Sequence, residues 1–142
     1  MSAAYEPMVG RYLRLTLGGL ACRVYVEEAG QGVPLICLHT AGADGRQYRH
    51  LLTDHEVTDR FRVIVFDMPW HGKSSPPEGW QDTDYQLTTA AYLEMVLALA
   101  DALALEQPVV MGCSIGGRAV LHLARLHGAR LGAVIGLLSS AM

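Results

Sequence analysis

Short apolar runs alternate with helix-like patterns along the chain. Residues 11–17 and 21–28 alternate between apolar and polar side chains, as half-buried strands do, and Gly18-Gly19 between them favours a hairpin turn. Four further runs are short and almost wholly apolar, which is typical of parallel strands buried on both faces. They cover residues 34–38, 62–66, 108–112 and 132–138. The pattern therefore predicts six strands, of which the first two are antiparallel.

Three helices are predicted between these runs, and residues 67–84 are predicted to form a long loop. The helices cover residues 44–54, 88–105 and 115–127. One face of the second helix consists of Leu93, Val96, Leu97, Ala100 and Leu103. At the start of the first helix, Asp44 and Gln47 resemble a capping box. Gly128 is predicted to cap the end of the third helix.

This order of elements predicts an α/β fold, with a mostly parallel sheet of about six strands and helices on both faces. The chain has 142 residues, of which 51% are hydrophobic and 18% charged. That composition excludes a disordered chain, and the length predicts one domain. Because ligands bind such sheets at the carboxyl ends of the strands, the candidate chemistry belongs to the segments that directly follow the apolar runs.

Charge and cysteine content narrow the range of partners. The formal net charge of -3 gives no basic excess for binding nucleic acid or an anionic membrane surface. No segment resembles a secretion signal or a membrane-spanning helix. Cys22, Cys37 and Cys113 are odd in number and lack the spacing of metal ligands, so neither a disulfide framework nor a metal site is expected. These features predict a soluble, cytoplasmic protein.

The strongest candidate for chemistry is Gly112-Cys113-Ser114-Ile115-Gly116, which follows an apolar run and opens a helix. A nucleophile elbow has this pattern, because its turn is so tight that the residues two positions either side of the nucleophile must be small. The turn presents Ser114 as the candidate catalytic nucleophile and the backbone N–H of Ile115 as a candidate oxyanion donor. Cys113 is expected to point into the core as a buried thiol.

A second small-residue loop, His39-Thr40-Ala41-Gly42, directly follows the run 34–38. Such a loop supplies the second backbone N–H of an oxyanion hole, with Ala41 as the first choice of donor and Gly42 as the second. His39 is either a base or a structural residue that hydrogen-bonds within the loop, and we favour the structural role.

The third segment, DMPWHGKS at residues 67–74, follows the run 62–66. Asp67 and His71 are a possible catalytic pair. However, Asp, Pro and Gly at these spacings build turns, and we favour that interpretation.

These three motifs, in this order and at these separations, resemble the α/β-hydrolase family over almost the entire chain. The resemblance implies a serine hydrolase that uses no cofactor and acts on esters, lactones or related small acyl compounds. Two departures are evident: Trp70 stands where the family usually carries glycine, and HTAG replaces the commoner HG-x-P loop. Both place bulk or polarity near the pocket mouth, so His39, Gly42 and Trp70 are candidate pocket residues.

The catalytic triad that the resemblance implies is incomplete in this sequence. The family places an acid and then a histidine after the serine, yet no Asp or Glu follows Ser114. His122 and His127 lie on the helix that Ser114 opens, and His122 is about 12 Å along its axis, too far to accept the serine proton. The family sheet has two further strands and a lid, so residues 1–142 resemble the amino-terminal half, a single incomplete domain.

Three functional hypotheses remain open. The first is a serine hydrolase whose base and acid come from a missing or separate C-terminal part. The second is a catalytically inactive hydrolase-fold fragment or interaction module. The third, which we favour least, is a complete small hydrolase with His39 or His71 as its base. In each case residues 132–138 would form an apolar sheet edge, where we expect a second polypeptide or a second copy to pair.

Overall fold

A single sheet organises the computed structural model, which describes residues 2–137. Its strands are β1 (Val9–Leu17), β2 (Leu20–Ala29), β3 (Val33–Leu38), β4 (Phe61–Phe66), β5 (Val109–Cys113) and β6 (Ala133–Leu137). They lie in the order β1-β2-β4-β3-β5-β6. Strand β2 is antiparallel to β1 and β4, and the other neighbouring strands are parallel. The predicted partial α/β sheet, mostly parallel and with about six strands, is confirmed.

Two long helices and two short ones connect the strands. They are α1 (Arg49–Thr53), α2 (His55–Thr58), α3 (Thr89–Ala102) and α4 (Ile115–His127). Three 3₁₀ turns lie at Gly45–Tyr48, Trp80–Asp82 and Gly128–Arg130. Within residues 2–137, none of these helices is long and apolar enough to cross a membrane.

The predicted helix over residues 44–54 is in fact a 3₁₀ turn followed by α1, and only half of the predicted capping box is present. Asp44 accepts a hydrogen bond from the Arg46 N–H at 3.0 Å. The Gln47 side chain does not reach back to Asp44; its Oε1 accepts the Thr40 N–H at 2.9 Å. Asp44 therefore still caps the 3₁₀ turn, and a tertiary contact with the neighbouring loop replaces only the Gln47 half of the box.

The ends and the buried face of the other two helices also differ from prediction. Ala104 has a φ of 52°, so the helical backbone stops before residue 105. Gly128 has a φ of -55° and leads into a 3₁₀ turn, so it is not a left-handed cap. Helix α3 packs against both α4 and β1, and therefore buries more than the predicted stripe. The fully buried side chains that the prediction omitted are Tyr92, Met95 and Leu99, whereas Leu97 and Leu103 are half-buried.

Each face of the sheet has its own apolar core. Helices α3 and α4 cover one face, whose buried residues include Ile36, Phe66 and Leu123. On the other face, Tyr48 and Leu52 pack over β3, β4 and β5. The two faces together bury most residues of β3, β4 and β5, as the wholly apolar runs predicted.

Strand β6 forms a sheet edge among the described residues. It pairs with β5 on one side, and no strand within residues 2–137 pairs with its other side. Ile135 and Leu137 remain 42% and 39% exposed. The predicted apolar edge is present over Ala133–Leu137, and position 138 lies outside the described residues.

Candidate active site

Ser114 occupies a strained turn between β5 and α4. Its backbone has a φ of 57° and a ψ of -115°, a region that residues with a side chain rarely adopt. The Ser114 N–H donates to the Leu137 carbonyl at 3.1 Å, and its own carbonyl accepts the Arg118 N–H at 2.9 Å. The end of β6 and the first turn of α4 thereby fix the serine, and its side chain is exposed.

Two glycines make this turn possible. A Cβ on Gly112 would overlap the backbone carbonyl group of Gly116 and lie 2.8 Å from the Gly117 nitrogen. A Cβ on Gly116 would lie 2.7 Å from the Leu38 carbonyl oxygen. Both contacts are with backbone atoms, which cannot rotate away. The glycines at positions 112 and 116 are therefore steric requirements of the elbow and of the packing of α4 on β3.

The two candidate oxyanion donors come from neighbouring strands. Ile115 begins α4, where the first backbone N–H groups of a helix lack acceptors within that helix. Ala41 follows β3, which lies beside β5, and adjacent strands are about 4.8 Å apart. Among residues 2–137, no acceptor engages the N–H of Ala41 or of Ile115. Gly42 is exposed with a φ of 73°, and a Cβ there would meet open space.

His39 lies buried beneath this loop and binds to it. Its Nε2 accepts the Met68 N–H at 3.0 Å, so the ring proton sits on Nδ1, which donates to the Thr40 carbonyl at 2.8 Å. The predicted hydrogen bond within the loop is therefore present. Burial lowers the pKa of His39, although the bond to the Thr40 carbonyl opposes that shift. The ring is neutral near pH 7, and both of its nitrogens are already engaged.

Three residues that the sequence analysis did not connect with the site also hold the loop. Tyr92 of α3 donates its hydroxyl proton to the His39 carbonyl. The Tyr48 hydroxyl donates to the Leu38 carbonyl at 2.7 Å, and Gln47 binds Thr40 as described above. Burial raises the pKa of both tyrosines, which remain protonated donors. No local sequence signal marks the contact of Tyr92, because Tyr92 lies 53 residues from His39.

Asp67 joins three segments of backbone at the end of β4. Its Oδ1 accepts the Gly45 N–H at 2.7 Å and its Oδ2 accepts the Lys73 N–H at 2.8 Å. Its carbonyl accepts the Ser74 hydroxyl at 2.6 Å. The carboxylate is therefore committed to backbone groups rather than to His71, as the turn-building interpretation proposed.

Replacing Asp67 with asparagine should lower the free energy of unfolding by about 2 kcal/mol, because one of the two backbone N–H groups that the carboxylate binds loses its acceptor. Urea unfolding followed by circular dichroism measures the change. Asp82→Asn is the matched control, since Asp82 is exposed in the same loop, and it should unfold like the wild type. An unchanged midpoint for Asp67→Asn would contradict this role.

Trp70 adopts a left-handed backbone inside an aromatic cluster. Its φ is 74°, which explains why a glycine suits this position in the family. Its ring makes edge-on contacts with Trp80 and Tyr85, both at 5.8 Å between centroids. Tyr85 also lies 3.4 Å from Nε2 of His71, whose Nδ1 is 3.0 Å from the Pro69 carbonyl. Aromatic packing thus offsets the strain of a tryptophan in this conformation.

The structure places Ser114, Ile115 and Ala41 at one edge of the sheet, but no histidine hydrogen-bonds to the serine among the described residues. Within residues 2–137, no hydrogen bond joins Ser114 Oγ to another side chain. No group of three or more His, Cys, Asp or Glu side chains in this part of the chain is placed to hold a metal ion.

One expectation about the elbow is wrong in part. Cys113 was expected to be buried, but it is partly exposed. Its strand lies next to the edge strand β6, whose own side chains are open to solvent, so the cover over Cys113 is incomplete. By contrast, Cys37 in the middle of the sheet is fully buried, and burial raises the pKa of its thiol to about 12.

Comparison with known proteins agrees with this geometry. The family model described as alpha/beta hydrolase fold matches residues 33–142. The pimeloyl-[acyl-carrier protein] methyl ester esterase of Aeromonas hydrophila is 34% identical to this chain over 117 residues. That match covers 82% of this chain but 42% of the esterase, so the chain spans less than half of that relative.

Solved structures show the same fold. Est816, described as an N-acyl homoserine lactone degrading enzyme, matches with a TM-score of 0.72 and 28% identity, over 89% of this chain and 45% of Est816. A hydrolase from Pseudomonas aeruginosa PA01 matches with a TM-score of 0.77 and 24% identity, over 92% of this chain and 46% of that one. The chain belongs to the α/β-hydrolase family.

Proposed function

We propose that this protein is a serine hydrolase that cleaves esters, lactones or related acyl compounds through an acyl-enzyme on Ser114. The observation that carries the proposal is the left-handed backbone of Ser114, held between Gly112 and Gly116 at the end of β5. A glycine would adopt this conformation without strain. A serine in a strained turn at the ligand-binding edge of the sheet indicates that its hydroxyl is used.

The proposed reaction follows the order of acyl transfer. Ser114 Oγ attacks the acyl carbonyl carbon and gives its proton to a general base. The carbonyl oxygen becomes an oxyanion that accepts hydrogen bonds from the N–H groups of Ala41 and Ile115. The intermediate then expels the alcohol, which takes the proton from the base. Water activated by the same base attacks the acyl-enzyme, releasing the acid and restoring Ser114. The proposed steps use no cofactor.

The base and its acid partner are proposed to come from outside residues 2–137. His39 is buried with both nitrogens engaged, and His71 is occupied by Pro69 and Tyr85. His122 and His127 lie along α4, away from its first residue. We propose that a C-terminal part or a separate polypeptide supplies both groups and pairs along β6, whose free edge suits it. A second copy at this edge is the alternative.

The substrate is proposed to be a small acyl compound rather than nucleic acid or a membrane. The formal net charge of -3 does not favour an anionic surface. The esterase and the lactone-degrading enzyme among the similar proteins support ester and lactone chemistry. Gly42 and Trp70 are proposed to border the substrate, with His39 supporting the loop from below. The free, buried thiols of Cys22 and Cys37 support a reducing, cytoplasmic location.

Burst kinetics with p-nitrophenyl acetate test the proposal on the intact protein. An acyl-enzyme predicts a rapid release of one p-nitrophenol per active site, followed by slower turnover. Absence of both phases would favour the second candidate, a catalytically inactive module. The observation behind that candidate is that no base hydrogen-bonds to Ser114 among the described residues, where the His39 and His71 rings are engaged elsewhere.

A further inference from the structure

A second concave site lies beside the aromatic cluster. The cleft has a volume of about 350 Å³ and is formed by the β1–β2 turn, the segment after β4 and the start of α3. This volume falls within the range of small-molecule pockets, roughly 300–1,000 Å³. Leu20, Met68, Trp70 and Leu87 give it a mostly apolar lining. Ser114, Ala41 and Ile115 do not line it, so it lacks the proposed nucleophile and oxyanion donors, although it shares Trp70 with the proposed substrate site.

The charged side chains that line this cleft are all acidic. Asp84 and Glu94 are the charged residues of its lining, and no lysine, arginine or histidine contributes to it. Glu94 accepts the Gly18 N–H at 2.6 Å, which ties the β1–β2 turn to α3. Asp84 has no hydrogen-bond or ion-pair partner among residues 2–137, so its carboxylate is available to a ligand.

Trp70 adds an aromatic wall to this acidic, apolar cleft. Its left-handed backbone is strained, and the rings of Trp80 and Tyr85 hold it there. An aromatic ring, an apolar floor and carboxylates at the mouth together recognise an organic cation. We propose that this cleft binds an amphipathic monocation, such as an alkylammonium or a quaternary ammonium compound.

The cleft lies near the proposed nucleophile site but does not include Ser114. Trp70 follows β4 and Ser114 follows β5, and β3 separates those two strands. With neighbouring strands about 4.8 Å apart, β4 and β5 lie roughly 10 Å apart, and both sites lie at the carboxyl-end edge of the sheet. Binding in the cleft therefore needs neither the hydroxyl of Ser114 nor the missing base.

Tryptophan fluorescence tests the proposal directly, because both tryptophans of the chain, Trp70 and Trp80, belong to the cluster. The intact protein is titrated with hexyltrimethylammonium, with neutral hexan-1-ol and with hexanoate. We expect saturable quenching by the cation, weaker binding of the alcohol and no binding of the anion. Equal responses to all three probes, or no saturable response to the cation, would overturn the proposal.

Charge-neutral variants identify the cleft as the binding site. The double variant Asp84→Asn/Glu94→Gln should weaken binding of the cation about fivefold, the upper end for an exposed ion pair. The amide introduced at position 94 still offers an oxygen to the Gly18 N–H, so the turn stays attached to α3. Asp84→Asn alone should weaken binding about twofold.

Two further variants serve as controls for the cleft. Glu106→Gln removes the same charge from an exposed residue outside the cleft and should bind the cation like the wild type. Ser114→Ala should also bind the cation normally, which separates this test from that of the hydrolase proposal. Unchanged binding in the double variant would refute the site.

Discussion

Replacing Ser114 with alanine is expected to lower kcat/KM for ester hydrolysis by the intact protein by roughly 10⁴-fold or more. The reason is chemical: no other hydroxyl of the described chain combines a strained strand-to-helix turn with free N–H groups at a helix start. Because the proposed acyl-enzyme forms on Oγ, removing that atom should remove the covalent pathway and leave the proposed oxyanion donors without a partner. The initial rate of p-nitrophenyl acetate hydrolysis measures the loss.

Two neighbours supply the controls for this experiment. Ser75→Ala removes a hydroxyl from the loop after β4, where Ser75 uses its backbone N–H to bind Arg23, and should retain full activity. Cys113→Ala tests the adjacent, partly exposed thiol and should also leave the rate within a few-fold of wild type. Hydrolysis that survives Ser114→Ala would contradict the proposed nucleophile.

Gly112→Ala is expected to destabilise the fold by about 3 kcal/mol or more. The added methyl would overlap the Gly116 carbonyl group at the junction of β5 and α4. That group is part of the backbone and cannot rotate away. Relief requires α4 to move away from the sheet, which would also displace the Ile115 N–H. Thermal or urea unfolding of the variant measures the loss, and activity should fall with it.

Gly128→Ala is the matched control for that substitution. Gly128 has a φ of -55°, and a Cβ there would meet open space. Alanine should therefore be neutral or stabilise the protein by up to about 1 kcal/mol, because it restricts the unfolded chain. Equal effects of the two substitutions would show that the elbow does not depend on the close approach at position 112.

The strands, the tight turn at Ser114 and the hairpin turn were predictable from patterns of neighbouring residues in the sequence. Alternation of apolar and polar positions predicted β1 and β2, and the apolar runs predicted the other four strands. The elbow was predictable for a similar reason, since its steric demand falls on residues two positions either side of Ser114. Gly18 and Gly19 likewise have positive φ values in the predicted hairpin turn.

The hydrogen bonds that hold the loop at residues 39–42 were not predictable, because they join it to other segments of the chain. Tyr92 and Met68 reach His39 from another helix and another loop. Gln47 was expected to complete a local cap, yet the Thr40 N–H offered a competing partner. In each case a polar group hydrogen-bonds to a partner outside its own element rather than to a local one. The hydrophobic periodicity of a single sequence does not predict which partner is used.

Trp70 shows a different limit of sequence reasoning. The sequence marked it as a departure from the family, and the structure supplies the cause in the rings of Trp80 and Tyr85. Trp80 lies within the predicted loop 67–84 and Tyr85 directly follows it, and no local pattern predicted their contact with Trp70. The acidic cleft beside them was likewise visible only in three dimensions.

Fluorophosphonate labelling of the intact protein, mapped by peptide mass spectrometry, tests the central claim most directly. We expect one phosphonate per chain, located on Ser114 and blocked by prior incubation with a hydrolysable ester. Labelling should disappear in Ser114→Ala and persist in Ser75→Ala. A protein that stays unlabelled, or that carries the phosphonate elsewhere, would contradict the assignment of Ser114 as an activated nucleophile.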